Sequence, residues 1–204
     1  MKVGLTGGIA TGKSTVSRML SERGAAIVDA DVVAREVVEP GTEGASLIRE
    51  RFGEGVFLPD GSLDRQSLGR IIFADKQARE DLNRLLHPLI IRRMEEETAR
   101  RQAADPHCIV VWDTPLLIEE SLTDRVDWVV VVYIPIALQQ KRLMERDGIR
   151  AEEARSRMKA QMSIEEKKSF ADILIDNSGT LAETERQVDA LWQTLVSKNG
   201  SAQP

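Results

Sequence analysis

Apolar residues along the chain fall into two kinds of run, and the two kinds alternate. Short, nearly unbroken stretches lie at Lys2–Thr6, Ala25–Val28, Cys108–Trp112, Trp128–Tyr133 and Ile173–Ile175, rich in Val and Ile and mostly ending at Gly or Asp. Runs of this length suit strands covered on both faces, as in a parallel sheet. Between them, apolar positions recur every three or four residues. Val16, Met19 and Leu20 follow Lys13 at helical spacing, with Gly24 placed to end that helix. Two charged helices are predicted over Ala137–Arg146 and Ala151–Gln161, either side of Asp147-Gly148. A closing helix is predicted over Leu181–Val196, with Leu181, Val188, Leu191, Trp192 and Leu195 on its apolar side, and Ser197–Pro204 reads as a frayed tail.

The stretch from Val32 to Ala104 interrupts this alternation. One helix is predicted from Val32 toward Val38, before Pro40, and another beyond Gly41, ending at Phe52-Gly53. Pro59-Asp60-Gly61 marks a turn, and Asp64 caps a helix running through Phe73. Leu82, Leu85, Leu86, Leu89 and Ile90 form an apolar stripe broken by Pro88, and a charged helix over Arg92–Gln102 stops at Ala103-Ala104-Asp105-Pro106. Alternating strands and helices predict an α/β fold with right-handed crossovers and a parallel five-stranded sheet. A crossover needs roughly 10 to 15 helical residues, so the stretch between the second and third strands is an insertion. Insertions at strand C-terminal ends tend to hold ligands. In the usual layout the second strand lies beside the first, which would set Asp29 and Asp31 next to the loop that follows strand one.

Composition narrows the functional classes. The chain has 204 residues, 42% of them apolar, and a net charge of -5. This suits one domain with an inserted subdomain, and it gives no sign of the basic surface a general nucleic-acid binder carries. Cys108 is the single cysteine, so neither an internal disulfide nor a zinc cluster is available, and its apolar surroundings suggest a buried, inert thiol. The N-terminal residues lack the pattern of a signal peptide. The longest apolar run, Trp128–Ile134, is far shorter than the roughly 20 residues a bilayer-spanning helix needs. The expected location is the cytoplasm.

Gly7-Gly8-Ile9-Ala10-Thr11-Gly12-Lys13-Ser14-Thr15 carries the chemistry. Gly7, Gly12, Lys13 and Ser14 fit the phosphate-loop pattern G-x-x-x-x-G-K-[ST], which lets backbone N–H groups close around phosphate oxygens. The helix that follows turns its positive end to the anion. Lys13 then reaches the β- and γ-phosphates, and the Ser14 hydroxyl ligates Mg²⁺. A chance match in such a chain is on the order of 1% given ordinary glycine usage, which favours this reading over a glycine-rich helix cap. The motif alone says ATP or GTP with Mg²⁺ and leaves the acceptor open.

Other residues have two readings each. Asp31 either caps the helix starting at Val32 or faces the acceptor hydroxyl. Asp113, after four apolar residues, either simply ends a strand or holds Mg²⁺ directly or through water, as in a Walker B element. Arg142 and Arg146 share a helix face. They either clamp polyphosphate or pair with Glu145, Asp147, Glu152 and Glu153 in solvent. His87 beside the leucine stripe reads first as structural, and His107 as a turn residue. Trp128 and Trp192 read as core, whereas Trp112 is either core or lines the site beside Asp113.

These motifs, taken in order, resemble the dephospho-CoA kinase family over nearly the whole chain. The resemblance runs from Leu5–Thr15 through Asp29-Ala30-Asp31, Ala34–Gly41, Leu86-His87-Pro88-Leu89-Ile90, Asp113-Thr114-Pro115-Leu116-Leu117-Ile118-Glu119 and Arg142–Asp147 to Ile175–Gly179. It implies a three-layer phosphate-loop NTPase fold with a helical acceptor insertion and a helical lid. The implied division is a nucleotide core of 1–31, 105–136 and 170–204, an acceptor subdomain of 32–104 and a lid of 137–169. It also implies ATP-dependent phosphorylation of the ribose 3′-hydroxyl of dephospho-CoA, the last step of coenzyme A biosynthesis. On this resemblance Asp31, Lys13 and Arg142 are catalytic. Gly8, Ile9, Ala10, Thr11, Gly12, Lys13, Ser14, Thr15, Arg142 and Asn177 hold ATP, with Asn177 near the adenine or its loop. Asp31, His87, Asp113 and Leu116 meet the acceptor, and Ser14 and Asp113 hold Mg²⁺. A monomer without nucleic-acid, membrane or obligate protein partner is expected. The alternatives are a kinase of another small metabolite, of nucleoside monophosphate or shikimate type, and a GTP-binding switch protein. The last lacks a guanine-reading Asn-Lys-x-Asp, and its only switch-like element, Asp176-x-x-Gly179, comes too late in the chain.

Overall fold

The computed structural model describes residues 1–200. In chain order the main elements are β1 (Lys2–Gly7), α1 (Lys13–Glu22), β2 (Ala26–Asp29), α2 (Ala30–Glu36), α3 (Glu43–Phe52), α4 (Arg65–Ala74), α5 (Lys76–Ala104), β3 (Val110–Asp113), β4 (Trp128–Tyr133), α6 (Ile136–Asp147), α7 (Ala151–Lys159), α8 (Ile164–Lys168), β5 (Ile173–Asp176) and α9 (Leu181–Gly200). They form two compact units, Met1–Val28 with the chain from Arg100 onward, and Asp29–Ala99.

The first unit is built on a five-stranded parallel sheet in the order β2-β3-β1-β4-β5. β1 is central, with Leu5 opposite Asp113 on one side and Val130 on the other. The second strand therefore does not lie beside the first. β3 takes that place, and Ala26 N–H donates to Ile109 O at 2.9 Å. Burial explains the order. All four residues of β3 are buried, whereas in β2 only Val28 is, so the more apolar strand takes the interior position and β2 the edge. Helices α1 and α9 cover the sheet with Val16, Met19, Leu20, Val188, Leu191 and Leu195, all buried. Each such side chain contributes about 1.5–3 kcal/mol on leaving water. Trp128 and Trp192 pack half-buried against this core, and Trp112 is wholly buried, so it is core. Cys108 is only partly buried, and desolvation pushes its thiol pKa up, toward the unreactive protonated form.

Two elements depart from the expected pattern here. α8 is an additional helix, started by a capping box in which Ser163 and Glu166 bond each other's backbone N–H groups. α9 continues to Gly200, so Ser197–Gly200 is helical rather than frayed; the rest of the expected tail lies outside the described residues.

The Asp29–Ala99 unit is helical. Asp29, not Asp31, caps α2: its Oδ1 accepts from the N–H groups of Asp31 at 2.8 Å and Val32 at 3.3 Å. Asp64 caps α4 in the same way, and Gly61, at φ 81°, makes the expected turn. Val38, Ile48, Val56, Leu68 and Leu82 form a separate core. The apolar stripe is not broken at Pro88. α5 runs through it as one helix of 29 residues. Proline removes one N–H bond, to the carbonyl four residues back, and the turns on either side stay anchored by buried Leu82, Leu89 and Met94. Arg92 also bonds Glu43 of α3 at 2.5 Å. Among the described residues no helix is long and apolar enough to cross a membrane.

Since Pro88 is exposed, Pro88→Ala should restore the missing helix bond without a packing loss. We expect a stabilisation of about 1–3 kcal/mol, read as a raised thermal unfolding midpoint. An unchanged or lowered midpoint would show that the proline is compatible with α5 at no cost.

Candidate active site

β1 ends at Gly7, and α1 begins at Lys13 after five intervening residues. The turn between them is tight. Ala10 at φ 61° and Gly12 at φ 89° are both left-handed, and for Ala10 that conformation costs on the order of 1 kcal/mol. Gly12 at the N-cap supplies no side-chain bond, and the first turn of α1 holds no acid. The positive end of the helix is thus left to a ligand anion.

The loop is held by its neighbours. Asn177 Nδ2 donates to Thr11 O at 2.8 Å, Gln139 Nε2 donates to Ile9 O at 2.9 Å, and Thr11 Oγ1 donates to Gly8 O at 2.9 Å. Ile9 N–H donates to Gln161 Oε1 at 3.0 Å. Asn177 is itself fixed, since its Oδ1 accepts from Thr184 Oγ1 at 2.7 Å and its N–H donates to Tyr133 O at 2.9 Å. These side chains explain two glycines. A Cβ on Gly8 would collide with the Gln139 amide, and one on Gly12 with the Asn177 amide.

Beside the loop, the Lys13 ammonium pairs with Asp113 Oδ1, and Asp113 is 5% exposed. Thr114 N–H donates to Leu5 O and Thr6 Oγ1 to Pro115 O, both at 3.1 Å, so the segment after Asp113 is tied to β1. Lys167, on α8, reaches the same segment. Its ammonium donates to Pro115 O at 2.5 Å and to Glu119 Oε2 at 2.9 Å, and Glu119 Oε1 accepts from Met162 N–H at 3.0 Å. Burial pushes the Lys167 pKa down, against the opposing pull of Glu119.

Gly8, Ile9, Ala10, Thr11, Gly12, Lys13, Ser14 and Thr15 thus form one loop and helix start, with Ser14 exposed, Asp113 at its side and Asn177 behind it. Arg142 and Arg146 part company. Arg146 pairs with Asp147 at 2.7 Å, as does Arg157. Arg142 is half-buried on α6 and makes no ion pair among the described residues. Leu116 is half-buried in the segment after Asp113. Asp31 and His87 belong to the other unit, Asp31 exposed in the first turn of α2 and His87 half-buried on α5. Gln139, Gln161 and Lys167 match no local motif and escape a reading of the sequence. Glu119 sits within a quoted motif but carries no visible task there.

Among the described residues no group of three or more His, Cys, Asp and Glu side chains gathers to hold a metal. The Ser14 hydroxyl and the Asp113 carboxylate are hard oxygen donors. They fit Mg²⁺, which keeps waters and takes phosphate oxygens rather than a full protein cage.

Comparison with known proteins gives a consistent result. A family model described as dephospho-CoA kinase matches residues 1–183. A dephospho-CoA kinase of Leifsonia xyli is 51% identical over 196 residues, covering 95% of this chain and 98% of its own. A crystal structure from Thermus thermophilus superposes with a TM-score of 0.80 at 32% identity, covering 96% of this chain and 97% of its own. The dephospho-CoA kinase from Campylobacter jejuni superposes with a TM-score of 0.67 at 27% identity, covering 95% and 96%.

The loop's dependence on its neighbours is testable. Gly12→Ala forces a Cβ into the Asn177 amide at a left-handed φ, so ADP affinity by calorimetry should fall about tenfold or more, with cooperative unfolding retained. Wild-type affinity would show that the Asn177 contact yields freely.

Proposed function

The chain belongs to the dephospho-CoA kinase family, and from that premise we propose that it transfers the γ-phosphoryl group of ATP to the ribose 3′-hydroxyl of dephospho-CoA, giving CoA and ADP. It is a kinase of the phosphate-loop type. The observation that carries the acceptor's identity is the extent of the family match, residues 1–183. A phosphate loop serves many kinases, but the match also spans all of the Asp29–Ala99 unit, the part that a different acceptor would change.

In this reading the acceptor's 3′-oxygen attacks the γ-phosphorus, and the bond to the β,γ-bridging oxygen breaks, with ADP as leaving group. The N–H groups at the start of α1 bind phosphate oxygens, and Lys13 neutralises charge as it moves toward the bridging oxygen. Asp113 orients Lys13, Asn177 keeps the loop in shape, and Arg142, free of acidic partners, covers the transferring group. Asp31 accepts a hydrogen bond from the acceptor hydroxyl. His87 and Leu116 contribute to the acceptor seat, which the 32–104 segment supplies, while 137–169 acts as the lid. Ser14 and Asp113 would hold Mg²⁺, directly or through water, and the ion would supply neutralisation of the phosphate oxygens. The reading places the enzyme in the cytoplasm as a monomer without obligate partners.

We expect kcat/KM for dephospho-CoA to exceed that for AMP, CMP, adenosine and shikimate; equal values would transfer the assignment to another metabolite kinase. Lys13→Ala should lower kcat about a hundredfold or more. Asp31→Asn should lower kcat strongly while leaving the unfolding midpoint in place, because Asp29 is the cap of α2. A lowered midpoint with unchanged kcat would make Asp31 structural only.

A further inference from the structure

A lysine is an unusual occupant of a core, and Lys167 is 0% exposed. Phosphoryl transfer as described above gives it no task. A buried ion pair is also a poor source of stability, since an apolar residue of the same volume does as well or better. What the pair does provide is direction. Pro115 O, which accepts from Lys167, also accepts from Thr6, the residue before Gly7. Glu119 receives Lys167 on one oxygen and the Met162 N–H on the other. One residue earlier, Gln161 accepts from Ile9 in the phosphate loop. The segment Gln161–Lys167 is therefore stitched at three points to the phosphate loop and to the loop that follows Asp113. At the other end of the helix pair, Gln139 at the start of α6 donates to the carbonyl of the same residue, Ile9.

We propose that Lys167 is a positioning residue for phosphoryl transfer: with Glu119 it locks the returning arm of the 137–169 segment to the Asp113 loop, and so fixes where α6 and α7 hold their cations over the phosphate loop. Arg142 on α6 is half-buried without an acidic partner, and Arg155 on α7 makes no ion pair among the described residues. The positive charge of Lys13 adds slightly to the lowering of the Lys167 pKa, which burial dominates. The proposal rests on the kinase reading above.

The test uses the full chain in three variants. Lys167→Met leaves Glu119 uncompensated and should lower both the unfolding midpoint and kcat. Lys167→Met/Glu119→Gln removes the stranded charge. Its midpoint should return to near wild type, while kcat stays about tenfold or more below wild type, as expected for misplaced catalytic groups, and KM for dephospho-CoA changes less than about threefold. Glu119→Asp keeps both charges but shortens the arm, and should lower kcat without loss of folding. Hydrogen exchange at residues 161–168 should accelerate in the double variant, and its ADP affinity should fall. Recovery of wild-type kcat and exchange in the double variant, or wild-type kcat in Glu119→Asp, would overturn the proposal and leave Lys167 a structural residue. Wild-type enzyme that fails to phosphorylate dephospho-CoA would overturn the kinase assignment instead, while exchange and ADP affinity still decide the role of Lys167.

Discussion

A loop that binds phosphate through its backbone needs N–H groups left for the ligand, and so, apart from the Ile9 N–H on Gln161 and the Thr11 N–H on Gly8 O, it is held mainly through its carbonyls. That constraint organises the first unit. The carbonyls of Gly8, Ile9 and Thr11 take bonds from Thr11, Gln139 and Asn177, so the loop is gripped from behind by its own hydroxyl, by α6 and by the residue after β5. The glycines at 8 and 12 follow from the grip as much as from the ligand, because each lies against one of the gripping amides. Even the left-handed Ala10 fits this scheme, since surroundings that over-determine a loop can sustain a residue in a costly conformation.

Charge is handled with similar economy. The protein is acidic overall, at -5, yet the site must attract a polyphosphate. Two cations, Lys13 and Lys167, each rest on one carboxylate, Asp113 and Glu119, both carried by the same connection out of β3. An opposite charge at hand keeps each ammonium oriented and offsets its desolvation. On α6 and α7, Arg146 and Arg157 are occupied by Asp147, whereas Arg142 and Arg155 make no ion pair among the described residues.

What the sequence makes legible here is what lies within one turn or one strand. The loop's eight-residue spacing and the Val-rich β4 are local, and β4 has the bounds its composition predicts. Asp64 as a cap is local too. The second strand's place at the sheet edge is not, because it depends on competition between β2 and a strand that arrives some eighty residues later. Pro88 reads as a break by its own chemistry, and only the packing on both sides shows that α5 absorbs it. Gln139, Gln161 and Lys167 lie between 48 and 152 positions from their partners. A glutamine or lysine in a charged helix carries no mark of such a contact. Asn177 stands between these cases, since its motif draws attention to it while its grip on Thr11 O becomes visible only in three dimensions.

The central position of β1 also has a bearing on how the chain is made. β1 is synthesised before the other four strands of its sheet, yet both of its partners, β3 and β4, follow the whole Asp29–Ala99 unit. Its Val3 and Leu5 stay without a sheet until those strands leave the ribosome, because pairings this distant in sequence close late. The helical unit, with its own core and mostly local contacts, has no such wait. The loop that follows β1 is thus joined well before the strands that hold it in place, and assembled only with them.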